Sequence, residues 1–322
     1  AQTLAEQVSE AAGRGQPMRV SGLDSKAFYG HRVRGELLSL REHAGITRYE
    51  PTELVISARA GTPIAEIEAA LAQKGQMLAF EPPKFDGRAS LGGAVASGLA
   101  GPRRPWGGAP RDLLLGVRLI DGQGRDLTFG GQVMKNVAGY DVSRMMAGSL
   151  GCLGVLLEVS LKVLPRPPEE QSLVLESYRV EALALMRQLA AEPLPLTGAC
   201  YLDGRLCLRL GSGQALLRAT AERLGAEPLS DGEQFWRDLR DHRLPFFQTE
   251  STLWRLSLPP ASPDPELPGT SILDWAGAQR WIISDTPEER VRDLATRSGG
   301  HACRFRGGAR DGEVFQPLAP EA

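Results

Sequence analysis

Hydrophobic and polar positions follow two rhythms along the chain, one close to the helical period and one alternating, and their order predicts a mixed α and β protein. Residues 4–12 have the spacing of a short amphipathic helix, and Met18-Arg19-Val20 reads as a strand entering the turn-prone Ser21-Gly22-Leu23-Asp24-Ser25-Lys26. Strand-like stretches at 45–49 and 53–58 precede a helix over 63–74. There Thr62 is the expected N-cap, Pro63 takes the first helical position, Ile64, Ile67 and Leu71 share a face, and Gly75 stops the helix. Residues 81–101 break every periodicity and carry too little apolar bulk to be core.

Strands over 113–120 and 126–129 then flank the turn Asp121-Gly122-Gln123-Gly124, 141–147 reads as helical, and 154–164 alternates as a long strand. Pro165-Arg166-Pro167-Pro168 ends that strand and sets the expected boundary between domains 1–168 and 169–322. Beyond it the order is strand (172–177), helix (181–191), hairpin and helix (214–224), which suits a small antiparallel sheet with helices on one face. The hairpin turns at Asp203-Gly204 and would set Cys200 opposite Cys207. The proline-rich 259–265 reads as a stiff connection between strands, and no internal repeat is present.

Charge and composition narrow the function. The 322 residues hold 37 Lys+Arg against 39 Asp+Glu, and a net charge of −2 argues against a nucleic-acid or anionic-membrane binder driven by bulk charge. With 42% hydrophobic and 24% charged residues the chain can bury a full core. No apolar run reaches about 18 residues, so no membrane span is expected. The first residues lack a signal-peptide pattern, and the cytoplasm is the expected compartment. Cys152, Cys200, Cys207 and Cys303 have no Cys/His metal-ligand spacing, so an iron–sulfur or zinc centre would belong to a partner, and a reducing compartment favours free thiols.

Candidate chemistry lies in the glycine-rich segments. Ser90-Leu91-Gly92-Gly93-Ala94-Val95-Ala96-Ser97-Gly98 places small side chains around a helix start, where backbone N–H groups favour an anion such as a dinucleotide pyrophosphate. The same residues would also let a helix pack closely on a sheet. No Gly-x-Gly-x-x-Gly follows the first strand with an acidic residue about twenty positions on, and no Walker loop occurs, so a bound nucleotide would use another fold.

Taken in order, these segments resemble the FAD-binding domain of the vanillyl-alcohol oxidase or PCMH type, most closely the branch of FAD-binding E subunits of bacterial glycolate oxidases. The marks run from about residue 16 to 168: Val20 to Lys26, Tyr49-Glu50-Pro51, Pro82-Pro83, Ser90-Leu91-Gly92-Gly93, Gly101 to Gly107, Lys135-Asn136-Val137-Ala138-Gly139-Tyr140-Asp141 and Gly148 to Val155. The resemblance implies an α+β fold, a PCMH-type domain of two α/β subdomains followed by a smaller antiparallel-sheet domain. It implies one pyrophosphate-facing loop at Ser21, Gly22, Leu23, Asp24, Ser25 and Lys26. Pro83 and Ser90, Leu91, Gly92, Gly93, Ala96, Ser97 and Gly98 would form a second. Gly151, Cys152, Gly154 and Val155 would lie near the adenosine or flavin end, and Lys135 and Asn136 near the flavin. Asn136 would otherwise cap a turn, Asp141 reads first as the cap of the following helix, and Arg103 and Arg104 read as phosphate or carboxylate donors or a solvated, partner-facing pair.

Three departures from the resemblance shape the functional expectation. Leu23-Asp24 stands where relatives are glycine-rich, and an Asp beside a pyrophosphate must turn outward, although Asp tolerates positive φ. No His or Cys lies between Ser21 and Lys26, which implies non-covalent FAD. Only His31, His43, His242 and His301 are present, widely spaced, so no catalytic base is named. The expected function is therefore an FAD-binding subunit that oxidises glycolate to glyoxylate together with a sister FAD-containing catalytic subunit and an iron–sulfur subunit, peripheral at the inner plasma membrane through those partners. The alternative is a structural subunit of the same complex that has lost FAD. Pro245-Phe246-Phe247, Trp254 and Trp275 are candidate partner contacts.

Overall fold

Residues 2–85, 87–131 and 140–317 are described by a computed structural model. They divide into one unit from Ala1–Ala27, Val33–Gly101 and Gly108–Arg166 and a second from Phe28–Arg32, Pro102–Gly107 and Pro167–Ala322.

The first unit starts with α1 (Gln2–Gly13), which buries Val8 and Ala11. β1 (Met18–Ser21) and β2 (Glu36–Ser39) then pair in parallel. β3 (Ile46–Glu50), β4 (Val55–Arg59), α2 (Ile64–Ala72), β5 (Gln76–Met77) and α3 (Leu91–Ser97) follow. After α4 (Arg104–Gly107), which belongs to the second unit, come α5 (Pro110–Leu113), β6 (Leu114–Ile120), β7 (Asp126–Gly130), α6 (Val142–Met145), β8 (Val155–Lys162) and β9 (Leu164–Pro165).

Five of these strands form an antiparallel sheet in the order β3-β4-β8-β6-β7. β4 and β8 are buried on both faces, so they read as near-continuous apolar runs. Where they face each other, Ser57 and Ser160 satisfy one another through hydroxyls 2.7 Å apart. The three residues predicted to share a face of α2 are fully buried, each contributing about 1.5–3 kcal/mol of burial.

Two local expectations are corrected here. Thr62 does not cap α2, whose N-cap is Pro63; its hydroxyl instead accepts from Gly45 N at 2.9 Å and donates to Gly45 O at 3.2 Å, holding the approach to β3. Residues 81–101 are not outside the core: Phe85, Ala89, Leu91, Ala94, Val95 and Leu99 are all buried. Close approach replaces bulk, since a Cβ on Gly92 would lie 2.7 Å from Ala60 Cβ.

The second unit carries an antiparallel sheet of eight strands. Its elements are β10 (Glu169–Glu176), α7 (Arg179–Ala191), β11 (Leu196–Leu202), β12 (Arg205–Ser212), α8 (Gln214–Leu224), β13 (Glu227–Pro228), α9 (Gly232–Arg240), β14 (Leu253–Ser257), β15 (Thr270–Asp274), β16 (Gln279–Ile283), α10 (Glu288–Arg297) and β17 (His301–Arg306). The strand order is β13-β10-β12-β11-β15-β16-β14-β17. The β11–β12 hairpin turns at Asp203 and Gly204, both at positive φ, and its register sets Cys200 opposite Cys207 as expected. Burial pushes the Cys207 thiol up to about 11 and raises that of Cys200 well above its usual value.

α7 and α8 pack on the face carrying Leu206, Leu208 and Leu210, while α9 brings Trp236 to the alternate residues, donating to Ser172 Oγ at 3.0 Å under the Arg209 guanidinium. Arg280 is fully buried in β16, where its guanidinium pairs with Asp264 at 2.8 Å and donates to the carbonyls of Ser262, Pro263 and Gly277. That network ties down the proline-rich connection. Phe247, Trp254 and Trp275 are buried, so these three are core rather than the partner surface expected of them, while Phe246 is half-buried edge-on against Phe247 and Pro245 is exposed. Among the described residues no helix is long and apolar enough to cross a membrane.

Candidate functional site

β1 delivers the first glycine-rich loop. Ser21, the last residue of the strand, is buried, and its carbonyl accepts from Leu40 N at 2.7 Å, so the chain enters Gly22 from a fixed point. Asp24 sits at φ +56°, a left-handed conformation that Asp adopts more readily than most residues. Its carboxylate is exposed and pairs with Arg19 Nη1 at 3.3 Å. Lys26 donates to Ser25 Oγ at 3.3 Å, with its ammonium 5.5 Å from the centre of the Phe85 ring. Leu23 is half-buried.

The second loop starts α3. Ser90 is its N-cap, with Oγ accepting from Gly93 N at 3.4 Å. Leu91 N donates to Thr62 O at 2.9 Å and Gly92 N to Ala60 O at 2.8 Å. Two donors expected to face an anion are thus already used within the protein, and Leu91 is a core side chain. The physical reason is the antiparallel run of 60–64 along 89–92, which must satisfy its own backbone groups. What α3 presents outward is Gly93, Ala96, Ser97 and Gly98, all half-buried, with Ser97 Oγ bonded back to Ala94 O at 3.1 Å. Pro83 is buried just ahead of Phe85.

The third bend closes on the other end of α3. Gly148 N donates to Val95 O at 3.0 Å and Leu150 N to Ala96 O at 2.8 Å, with Gly148, Leu150 and Gly151 at positive φ. A Cβ on Gly98 would come within 3.0 Å of Gly148 Cα, and one on Gly22 within 2.2 Å of Ser90 Oγ. Three segments far apart in sequence therefore meet on one short helix with hardly a side chain between them. Beside Gly151, which lies against Val20, is a cavity of about 250 Å³. Cys152, Gly154 and Val155 line it together with Val8 and Ala11 of α1 and Asp121. The Arg125 guanidinium and backbone N–H groups hold the half-buried Asp121 carboxyl below its usual range.

The structure thus brings Gly22 against Ser90 and the Gly148–Leu150 bend against α3, while Gly151 to Val155 line the cavity on the α1 side; Lys135 and Asn136 lie outside the described residues. Asp141 is the N-cap of α6, its carboxylate accepting from Arg144 N at 3.2 Å. Arg103 is buried on Glu170 at 2.5 Å and Arg104 stacks 4.5 Å over Trp275, so both are engaged inside the second unit. Sequence reasoning missed the inner face of α1 as a cavity wall and Leu150 as the bridge to α3. The run Gly148-Ser149-Leu150-Gly151 was a visible signal for the latter, whereas nothing local marked the former.

Histidines are not clustered. His242 is buried with its ring stacked 3.9 Å from that of Phe247 and edge-on to Trp281, and burial with nearby Arg306 and Arg255 pushes its pKa well below the usual value. His301 is lowered by burial and by Arg255. Among the described residues no group of three or more His, Cys, Asp or Glu could hold a metal ion. A cradle of backbone and small side chains binds and orients an extended anionic cofactor, and the bends around α3 fit such a group.

Comparison with known proteins agrees with that chemistry. The family described as "FAD binding domain" matches residues 1–145. The chain is 50% identical to the glycolate oxidase subunit GlcE of Escherichia coli (strain K12), over 99% of this chain and 89% of that protein. It is 28% identical to the glycolate oxidase subunit GlcD of Bacillus subtilis (strain 168), over 51% of this chain and 35% of that one. A solved alkyldihydroxyacetonephosphate synthase shares the fold at a TM-score of 0.66 and 14% identity, covering 92% of this chain and 69% of that one.

Proposed function

Since the chain belongs to the PCMH-type FAD-binding family that includes glycolate oxidase subunit GlcE, and is a flavin-dependent oxidoreductase subunit with FAD as its cofactor, we propose that it works inside a glycolate-oxidising complex. Its partners there are a sister FAD-containing subunit and an iron–sulfur subunit, through which it sits at the inner membrane face. The reaction is glycolate to glyoxylate, for which bound flavin supplies the hydride acceptor.

In this reading the Gly22 to Ser25 loop, the outward strip Gly93, Ala96, Ser97 and Gly98, and the Gly148 to Gly151 bend hold the pyrophosphate without covalent attachment. The cavity beside Gly151, lined by Cys152, Gly154 and Val155, would take the adenosine end. The observation that carries the proposal is the convergence of those three bends on α3. The scattered histidines, with His242 held neutral in an aromatic stack, support assigning proton abstraction from the substrate to the sister subunit.

The test is the visible spectrum and intact mass of the chain purified with its sister subunits and then alone. Flavin bands that pass into the filtrate when the chain is denatured, leaving the polypeptide mass unchanged, are expected. A flavin-free chain in both preparations would instead favour the structural role, and rapid glycolate oxidation by the isolated chain would refute the division of labour.

A further inference from the structure

The bend between α6 and β8 spends its backbone donors inside the first unit. Gly148 N donates to Val95 O at 3.0 Å and Leu150 N to Ala96 O at 2.8 Å, which fixes the bend on α3. Ser149 N reaches Met146 O at 3.3 Å, and Cys152 N returns to Ser149 O at 2.9 Å. A segment tied down in this way has few N–H groups left for an anion.

One group at its centre is left over. Ser149 is half-buried, yet its Oγ is covered and has no hydrogen-bond partner. Among the described residues of the first unit it is the only buried side-chain N or O atom in that state. The neighbouring hydroxyls are engaged: Ser90 Oγ accepts from Gly93 N, Ser97 Oγ donates to Ala94 O, and Ser143 Oγ donates to Asp141 Oδ1 at 3.0 Å. Leaving a buried hydroxyl unpaired costs free energy, and a partner from outside the chain removes that cost.

The surroundings indicate which partner. Gly148, next to Ser149, approaches Gly98 so closely that a Cβ there would lie 3.0 Å from Gly148 Cα, and Gly151 on the other side lines the cavity with Cys152. Neither α3 nor residues 145–157 carry an acidic side chain to repel an anion or a basic one to compete for it.

We propose that Ser149 is a further FAD-binding residue, its hydroxyl donating to a pyrophosphate oxygen of the bound cofactor. This rests on the cofactor site proposed above, and it adds a side-chain donor to a bend whose backbone is already committed. The hydroxyl rotates to suit its acceptor, and a hydrogen bond to an ionised oxygen is about twice as strong as a neutral one. The assignment has a signature that packing lacks. In the flavin-free chain removing the hydroxyl leaves the fold as stable or more so, whereas in the loaded chain the same removal breaks a bond to an anion.

The test uses the full chain stripped of flavin and then reloaded. Ser149→Ala is expected to weaken FAD about tenfold by flavin fluorescence, while the urea midpoint of the flavin-free chain stays level or rises. Ser149→Cys, which keeps a side chain of similar size but donates poorly, should weaken FAD in the same way. In phosphorus NMR of the loaded chain, a pyrophosphate resonance should move in Ser149→Ala. Wild-type FAD affinity in both variants would overturn the proposal, as would a lowered urea midpoint in both, which would mark the hydroxyl as part of the fold. Weaker FAD with the phosphorus spectrum unmoved would overturn the assignment to the pyrophosphate. A wild-type chain that takes up no FAD would refute the cofactor site itself; one that takes it up while Ser149→Ala binds equally well refutes only the role of Ser149.

Discussion

Gly22→Ala is the sharpest probe of the converging bends. Gly22 is not in a left-handed conformation, so alanine brings no backbone strain; the whole effect comes from where its methyl goes. That carbon would lie 2.2 Å from Ser90 Oγ and 3.1 Å from Ser90 Cβ. Turning the hydroxyl aside removes the first clash and gives up the cap on Gly93 N. Losing an N-cap costs about 0.5–2 kcal/mol, and the long 3.4 Å hydrogen bond here points to the lower end. The 3.1 Å approach to Cβ remains and pushes the Gly22 loop away from α3, an overpacking cost of about 1 kcal/mol. The variant should therefore lose about 1–2 kcal/mol in urea unfolding, and displacing even one charge-assisted backbone hydrogen bond to the pyrophosphate, about 1.5 kcal/mol, should raise the FAD Kd roughly tenfold. Ser90→Gly supplies the control, since it removes both clashing atoms and a glycine cap costs only a few tenths of a kcal/mol. In that background Gly22→Ala should cost about 1 kcal/mol less than in the parent, a coupling a double-mutant cycle resolves. Unchanged stability and FAD affinity in Gly22→Ala, or strict additivity with Ser90→Gly, would refute the convergence.

Other predictions follow from buried groups. His242 is held neutral in the fold, so its folded pKa lies below the unfolded value of about 6.5. Above that pH it contributes no slope, and below it the unfolded chain binds a proton that the native one does not. Stability should fall by up to about 1.4 kcal/mol per pH unit below 6.5, with His43 and His301 adding in the same direction, and His242→Gln should flatten the profile of urea midpoints between pH 7 and 5. Arg280→Met leaves three carbonyls without a donor and Asp264 with Arg179 alone, so a loss of about 3 kcal/mol is expected in the same assay. Of the four thiols only Cys152 is exposed, while burial raises the pKa of Cys200, Cys207 and Cys303; native protein should react with one equivalent of a disulfide reagent at pH 8, and Cys152→Ser should abolish it.

Local order was legible wherever neighbours in sequence are neighbours in space. The apolar face of α2 declared itself through Ile64, Ile67 and Leu71, and Asp203-Gly204 through the turn only such residues make cheaply. Thr62 misled because its hydroxyl found Gly45, 17 positions away, in place of its own helix. The stretch 81–101 misled because apolar bulk is a poor measure of burial where glycine and alanine let backbones touch.

The amino-acid sequence by itself determined the apolar face of α2, the Asp203-Gly204 hairpin, the small residues at the bends, the lack of His or Cys between Ser21 and Lys26 and the scatter of the histidines. Only the tertiary structure decided that Gly22 meets Ser90, that Ala96 meets Leu150, and that Phe28–Arg32 is clasped by Arg310. Such pairings join residues tens to hundreds of positions apart. A glycine that clears space for a distant backbone has the same local signature as one that merely ends a helix; what separates the two is the partner that packing brings to it.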